Sequence, residues 1–318
     1  MKLVITGALG HIGSRLIRDL VPAFPGADLV LVDNLCTRRY ASLFDLPAQG
    51  RYRFRELDIV TADLERVFEG AEAVIHLAAL TDAAGSFGRE QEVARVNGLG
   101  TERVADACLR TGSPLVFAST TSVYGPTESL VDEDCPDAEL RPQSPYADYK
   151  LRAERVLRAL GRESGLRYVI CRLGTVFGVS PGMRFHTAVN RFCWQAAGRM
   201  PLTVWRTALN QQRPYLDLAD TVGALVFILR RRLYSGETIN VVTLNASVGE
   251  LIERIRARIP DVEVRLVDSP IMNQLSYRVS SRRLASLGFE YRGDLARGID
   301  ATLALLAAAG GREARSIG

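Results

Sequence analysis

The chain has 318 residues, enough to bury a sizeable core as one large domain or two unequal ones, and its 40 Lys+Arg against 36 Asp+Glu leave a net charge of only +4. The charges are scattered rather than gathered into a basic block, which excludes a nucleic-acid surface and suits a small anionic ligand. Five widely spaced cysteines (Cys36, Cys108, Cys135, Cys171, Cys193) without a Cys-x-x-Cys pair, and no uninterrupted apolar run of about 18 residues, predict a cytoplasmic protein without a leader, disulfide framework, metal site or membrane span.

In chain order, residues 2–5 read as a strand, 12–21 as a helix, 28–32 and 52–57 as strands, 64–68 as a helix and 73–77 as a strand. Residues 92–111 read as a helix, 114–118 as a strand, 146–164 as a helix and 168–173 as a strand. Strand and helix alternating this way predict an α/β fold with a doubly wound parallel sheet covered on both faces. After Gly178 the alternation loosens. Helices are expected at 221–230, 248–258 and 295–308 and short strands at 238–242 and 262–267, with a frayed tail from Gly310. The division this predicts is a Rossmann-type dinucleotide domain over 1–178 and a smaller, mixed α/β substrate-binding region over 179–318. Segments near 213–232 are expected to return and pack on the first domain.

KLVITGALGHIGSRL places Gly7, Gly10 and Gly13 between the first strand and the first helix. Glycines there let the backbone turn tightly and approach a pyrophosphate, which then sits on the amides of the helix start. Their spacing departs from G-x-G-x-x-G, and a tight turn with close helix packing would also account for them. Asp33 ends the second strand, 20 residues after Gly13. A carboxylate at that place accepts hydrogen bonds from the adenosine ribose and repels a 2′-phosphate, so NAD is expected over NADP. Arg38 and Arg39 follow closely, either as a phosphate contact or as a solvated loop.

Nine pieces along the chain now carry a resemblance: TGALGHIG (6–13), VDN (32–34), LDI (57–59), HLAAL (76–80), VNGLGT (96–101), STTSVYG (119–125), SPYADYK (144–150), RLGTVFG (172–178) and RPYLDLAD (213–220). In this order they resemble an extended short-chain dehydrogenase/reductase, the group of NAD-dependent nucleotide-sugar epimerases and dehydratases that includes UDP-galactose 4-epimerase. The resemblance implies that NAD is held by Gly7, Gly10, His11, Ile12 and Gly13, by Asp33 and Asn34, and by Asp58 and Ile59 beside the adenine. It further implies Leu77, Ala78 and Ala79 along the cofactor's middle, and Asn97, Lys150 and Gly174 towards its nicotinamide end. His76 receives no proton-transfer role and reads as a packed, hydrogen-bonded histidine.

Among Tyr124, Tyr146 and Tyr149, only Tyr146 stands four residues before a lysine, Lys150, which puts both side chains on one helix face. A phenol has a pKa of about 10, and a nearby ammonium with the positive nicotinamide ring is expected to lower it. By the resemblance Tyr146 removes a proton from a substrate hydroxyl while hydride leaves the same carbon, Thr120 hydrogen-bonds that oxygen, and Lys150 also holds the nicotinamide ribose. Related dehydratases and decarboxylases usually place a glutamate, or an Asp-Glu pair, just before the Val-Tyr-Gly. Here Thr121 and Ser122 occupy those positions, so the second acid/base step lacks its proton carrier and epimerisation, most commonly at carbon 4, is expected.

The substrate half departs from the family's pattern. Thr175 stands where relatives place an asparagine, and DSPIMNQLSYRVSS (268–281) opens without their arginine, leaving Asn273 or Gln274 as hydrogen-bonding candidates. Arg213 is the first choice for the diphosphate, because its planar fork matches phosphate oxygens. Thr81, Thr121 and Ser122 are expected to line the sugar site, with Arg184, His186 and Asn190 from the unusual run 181–194. A reductase or dehydrogenase of a keto sugar or small alcohol is the nearest competing reading, ahead of a dehydratase or a non-catalytic dinucleotide sensor. A homodimer through helices 92–111 and 146–164 is expected.

Overall fold

Strands with successive apolar residues need cover on both faces. The computed structural model, which describes residues 1–268 and 276–310, supplies it. The chain runs through β1 (Lys2–Thr6), α1 (His11–Ala23), β2 (Asp28–Asp33), β3 (Arg51–Glu56), α2 (Leu64–Phe68), β4 (Ala73–His76), α3 (Glu90–Val93), a π-helical turn (Ala94–Leu99), α4 (Gly100–Thr111) and β5 (Leu115–Thr120). It continues through β6 (Leu130–Val131), α5 (Pro145–Ser164), β7 (Tyr168–Leu173), β8 (Thr175–Phe177), α6 (Ala188–Ala197), β9 (Leu202–Trp205), β10 (Gln212–Asp217) and α7 (Leu218–Arg231). Then follow β11 (Ser235–Val241), β12 (Leu244–Ser247), α8 (Val248–Arg256), β13 (Val264–Val267), β14 (Arg278–Val279), α9 (Arg282–Ser286) and α10 (Leu295–Gly310).

Seven parallel strands form the main sheet in the order β11-β7-β5-β4-β1-β2-β3. After β3 the chain crosses back to the other side of β1, so the order reverses there and a crevice opens outside the strand ends. On one face Leu16, Ile17 and Leu20 of α1 and Val222, Leu225 and Ile228 of α7 pack with Leu3, Ile5 and Leu31. On the other, Phe68, Val104, Cys108 and Leu157 pack with Val4, Val74 and Phe117. Among the described residues no helix is long and apolar enough to cross a membrane.

The smaller region is mixed α/β: β10 pairs parallel to β8 and antiparallel to β12, β13 pairs with β9, and α6, α8 and α10 share a core of Phe192, Leu251, Ile255 and Ile299. The returning segment is longer than the sequence suggested. Besides α7, β11 joins the main sheet as the strand beyond β7. Only its last four residues are buried, so the apolar signal began late. The stretch read as one helix over 92–111 is interrupted by the π turn, where the Asn97 side chain receives the Leu80 amide (2.8 Å) and donates to its carbonyl (2.9 Å). β8, β9, β10, β12 and α6 had no clear sequence signal; β10, for example, holds Arg213 and Pro214.

The turn between β1 and α1 tolerates no side chain at two of its glycines. Gly7 has φ +70°, and a Cβ there would lie 2.6 Å from the Ala78 nitrogen; one on Gly13 would lie 2.5 Å from the Gly7 carbonyl oxygen. Gly7→Ala is expected to cost the ligand-free protein about 1–3 kcal/mol, read as a lower urea midpoint. An unchanged midpoint would show that the turn yields.

Candidate active site

A cavity of about 430 Å³ opens at the carboxyl ends of the central strands, bounded on its far side by the smaller region. The glycine turn forms its floor, held by the Gly7 amide on the Val32 carbonyl (2.8 Å) and the Gly10 amide on the Gly7 carbonyl (3.1 Å). Gly10 differs from its two neighbours. A Cβ there would meet nothing nearer than the Gly7 carbonyl oxygen at 3.3 Å, yet the residue lines the cavity, so a side chain would fill space at the helix start rather than break the turn. The Asp33 carboxylate is fixed beside it by the amides of Leu9 (3.1 Å) and Leu35 (3.0 Å). Nε2 of the buried His11 has no partner. Open amides at a helix start, a backbone-held carboxylate one strand away and an unpaired ring nitrogen fit a dinucleotide lying across the turn.

Ile12, Gly13, Asn34, Asp58, Ile59, Leu77, Ala78, Ala79 and Gly174 line the same cavity. Asp58 accepts from the Val60 amide (2.8 Å) and from the Arg95 guanidinium (3.3 Å). Asn97 is brought in differently, for it does not line the space: fully buried, it fixes the loop carrying Leu80 from behind. His76 is also enclosed, between the hydroxyls of Thr6 (2.7 Å) and Thr101 (3.1 Å). Burial, with Lys150 adding to it, brings its pKa down to about 3, which keeps it neutral.

Helix α5 begins at the mouth because Ser144 caps it, accepting the Ala147 amide (3.2 Å), and Pro145 suits its first turn. Tyr146 and Lys150 follow on one face, and both line the cavity with Thr120. Lys150 Nζ donates to the Ala118 carbonyl (2.7 Å) and lies 4.6 Å from the Phe117 ring centre. Burial lowers its pKa to about 7 while Glu154 acts the other way.

Thr120 and the Tyr146 phenol both line the cavity, and the pKa of the phenol lies above the ordinary value, the reverse of the expected direction. Burial outweighs the opposing effects of Arg184 and Thr120. The other tyrosines stand apart. Tyr124 is buried with its hydroxyl on Asn240 Oδ1 (2.9 Å), and the Tyr149 ring stacks with Arg152 and touches Gly98.

On the substrate side Thr81, Ser122, Thr175, Arg184, His186 and Arg213 line the cavity. Thr121 and Asn190 do not. The Thr121 hydroxyl is turned to the Leu173 carbonyl (3.3 Å) and the Tyr277 hydroxyl (3.4 Å). Asn190 accepts the Gly178 amide (3.3 Å) and donates to the Arg184 carbonyl (3.0 Å), shaping the loop between them. Gln274 and Asn273 lie outside the described residues. Sequence reasoning missed Asp82, Thr187 and Arg191 in the lining. Thr187 and Arg191 are four residues apart at the start of α6, a spacing that could have revealed them. Among the described residues the side-chain Nε atoms of Arg184 and Arg191 and the Thr187 hydroxyl are buried without partners, which leaves unused donors on this wall.

A family model described as the NAD dependent epimerase/dehydratase family matches residues 3–241. The chain is 31% identical to the uncharacterized UDP-glucose epimerase YtcB of Bacillus subtilis (strain 168), over 76% of each protein. It is 28% identical, over 95% of its own length, to a trifunctional UDP-glucose 4,6-dehydratase/UDP-4-keto-6-deoxy-D-glucose 3,5-epimerase/UDP-4-keto-L-rhamnose-reductase of Arabidopsis thaliana, of which it spans 46%. Its fold is similar to that of a UDP-glucuronic acid 4-epimerase from Bacillus cereus solved with UDP-glucuronic acid and NAD (TM-score 0.86, 25% identity, 97% of this chain and 100% of that one).

The geometry separates two kinds of glycine variant. Gly10→Val is expected to lower the melting temperature of the ligand-free protein by less than about 5 °C while weakening NAD binding roughly tenfold or more, measured by calorimetry. Unweakened binding would remove Gly10 from the cofactor cradle.

Proposed function

The chain belongs to the NAD-dependent epimerase/dehydratase family, and on that premise we propose that it inverts carbon 4 of a nucleotide-diphosphate sugar, with NAD as its cofactor and the cytoplasm as its place of work. The observation that carries this reading is the set Thr120, Tyr146 and Lys150 around one cavity whose next positions, Thr121 and Ser122, offer hydroxyls and no carboxylate. Elimination or decarboxylation from a keto sugar needs a further group that titrates near neutral pH, and these hydroxyls do not. Carboxylates do line the cavity elsewhere. Asp33 and Asp58 are tied to backbone amides at the dinucleotide end, and Asp82 to the Gly85 amide (2.9 Å).

In this mechanism Tyr146 takes the proton of the carbon 4 hydroxyl and returns it, and Thr120 holds the same oxygen as hydroxyl and as carbonyl. Bound NAD supplies the hydride acceptor, later the donor, and a positive ring that favours the phenolate. Lys150 adds a second positive charge from beneath. Arg213, which lines the cavity with its guanidinium 5.9 Å from the Tyr277 ring centre, would hold the diphosphate in this reading. Arg184 donates to the Thr81 hydroxyl and keeps its Nε unpaired. Asp82 lies near enough to favour its charge, and the unpaired Nε leaves a donor over, so Arg184 favours a substrate with an acidic group near the reacting carbon, as in a nucleotide uronic acid. The chain works as a homodimer in this reading, through the face of α4 and α5; Leu99, at its edge, is 46% exposed.

Incubation with a panel of UDP-, dTDP-, GDP- and CDP-sugars, uronic acids included, is expected to give the 4-epimer by NMR without net consumption of NAD. Tyr146→Phe should lower kcat about 10²–10⁴-fold. Accumulation of a keto or unsaturated sugar would instead place the chain with the dehydratases, and stoichiometric NADH turnover with the reductases.

A further inference from the structure

Side chains four residues apart share a helix face, and on α5 that face carries Tyr146, Lys150, Glu154 and Arg158 in succession. Glu154 is fully buried. Its Oε1 accepts from the Ser119 hydroxyl (2.5 Å) and from Arg172 Nε (3.1 Å). Its Oε2 accepts from the Arg172 terminal nitrogen (2.7 Å) and from Arg158 (3.0 Å). Ser119 lies between Ala118, whose carbonyl receives Lys150, and Thr120, whose oxygen receives the Ser122 amide (3.2 Å). One helix face therefore grips two successive residues of β5 immediately before Thr120.

The surroundings of Lys150 make this carboxylate matter. On its own helix Lys150 faces the Tyr146 phenol and Glu154. From β5 it meets the Phe117 ring and the Ala118 carbonyl, and from β4 the His76 imidazole, which is neutral. Arg172 of β7 stands behind Glu154, with Arg158 at its outer side. Of these groups, Glu154 is the one that brings negative charge. We propose that Glu154 is a positioning residue for the reaction, keeping Lys150 charged at neutral pH and, through Ser119, holding Thr120 against Tyr146. This rests on the roles given above to Lys150 and Thr120.

The sign of the effect follows from the burial. An ammonium is charged below its pKa, and burial has brought that of Lys150 down to about 7 against the pull of Glu154. Without the carboxylate it falls further, and an unpaired Arg172 adds repulsion. Lys150 then loses its proton at lower pH, and activity that depends on it fades earlier as pH rises.

Lysine occurs only at positions 2 and 150, so protein labelled with ¹³C-lysine shows two ε-carbon signals to be followed by NMR during a pH titration. Glu154→Gln removes the charge but strands a buried arginine. Glu154→Gln with Arg172→Met removes both and keeps the pair neutral, a replacement buried ion pairs often tolerate. In NAD-loaded protein both variants are expected to move the Lys150 midpoint down by about one pH unit or more, and the high-pH limb of kcat with it, leaving KM little changed. Glu154→Asp should restore part of the shift. An unmoved Lys150 midpoint with an unaltered pH profile, accompanied only by a lower melting temperature, would overturn the proposal and leave Glu154 as a structural ion-pair partner. Because the NMR titration needs no substrate, it returns its answer even if the epimerase assignment fails.

Discussion

The ammonium of Lys150, sealed between the Ala118 carbonyl and the Phe117 ring, is the contact on which the arrangement of the site depends. A cation taken out of water is costly unless dipoles and charges are arranged around it. Meeting that need fixes the seating of α5 on β5. Once the helix is seated, Tyr146 reaches the cavity one turn earlier and Glu154 enters the interior one turn later. Thr120 then stands at the strand end opposite Tyr146, next to Ser119, whose hydroxyl donates to Glu154.

The two ends of the cavity solve different electrostatic problems. At the dinucleotide end, backbone amides do most of the polar work and carboxylates are tied down by main-chain hydrogen bonds, which suits a ribose and a pyrophosphate that must be held through every cycle. At the other end flexible side chains dominate, and among the described residues two basic nitrogens, Nε of Arg184 and of Arg191, are buried without partners. Donors buried without partners carry a desolvation cost that an anion placed there would relieve. The modest positive charge of the whole chain agrees with this in sign, but the effect is local.

Much of the fold could be read from the sequence because its signals are local. Parallel strands buried on both faces give unbroken apolar runs, the turn glycines precede a helical pattern, and Tyr146 and Lys150 have a spacing that only a helix makes meaningful. What stayed hidden depended on distant contacts. Thr121 and Ser122 are adjacent, yet one turns inward to Leu173 and Tyr277 and the other lines the cavity. Asn97 belongs to a recognisable segment, but only the π turn shows it gripping Leu80. The direction of the Tyr146 shift was missed because spacing identifies a neighbouring cation and says nothing of how much water the phenol loses. The strand expected at 238–242 proved to start at Ser235 and to join the main sheet, which its wet first half concealed, and Glu154 escaped because a glutamate on a helix ordinarily faces solvent.

Among 40 basic residues this chain uses lysine twice, at positions 2 and 150, and arginine everywhere else. Apart from Lys2, whose ammonium donates to the Glu69 carbonyl at the surface, the other cationic side chains at the surface are guanidinium groups. The buried place beside the Phe117 ring and the Ala118 carbonyl is different in kind: it holds a compact charge whose proton can be released, as that of a guanidinium cannot. The lone interior amine is therefore the one place inside the protein where arginine gives way to a cation that can lose its proton.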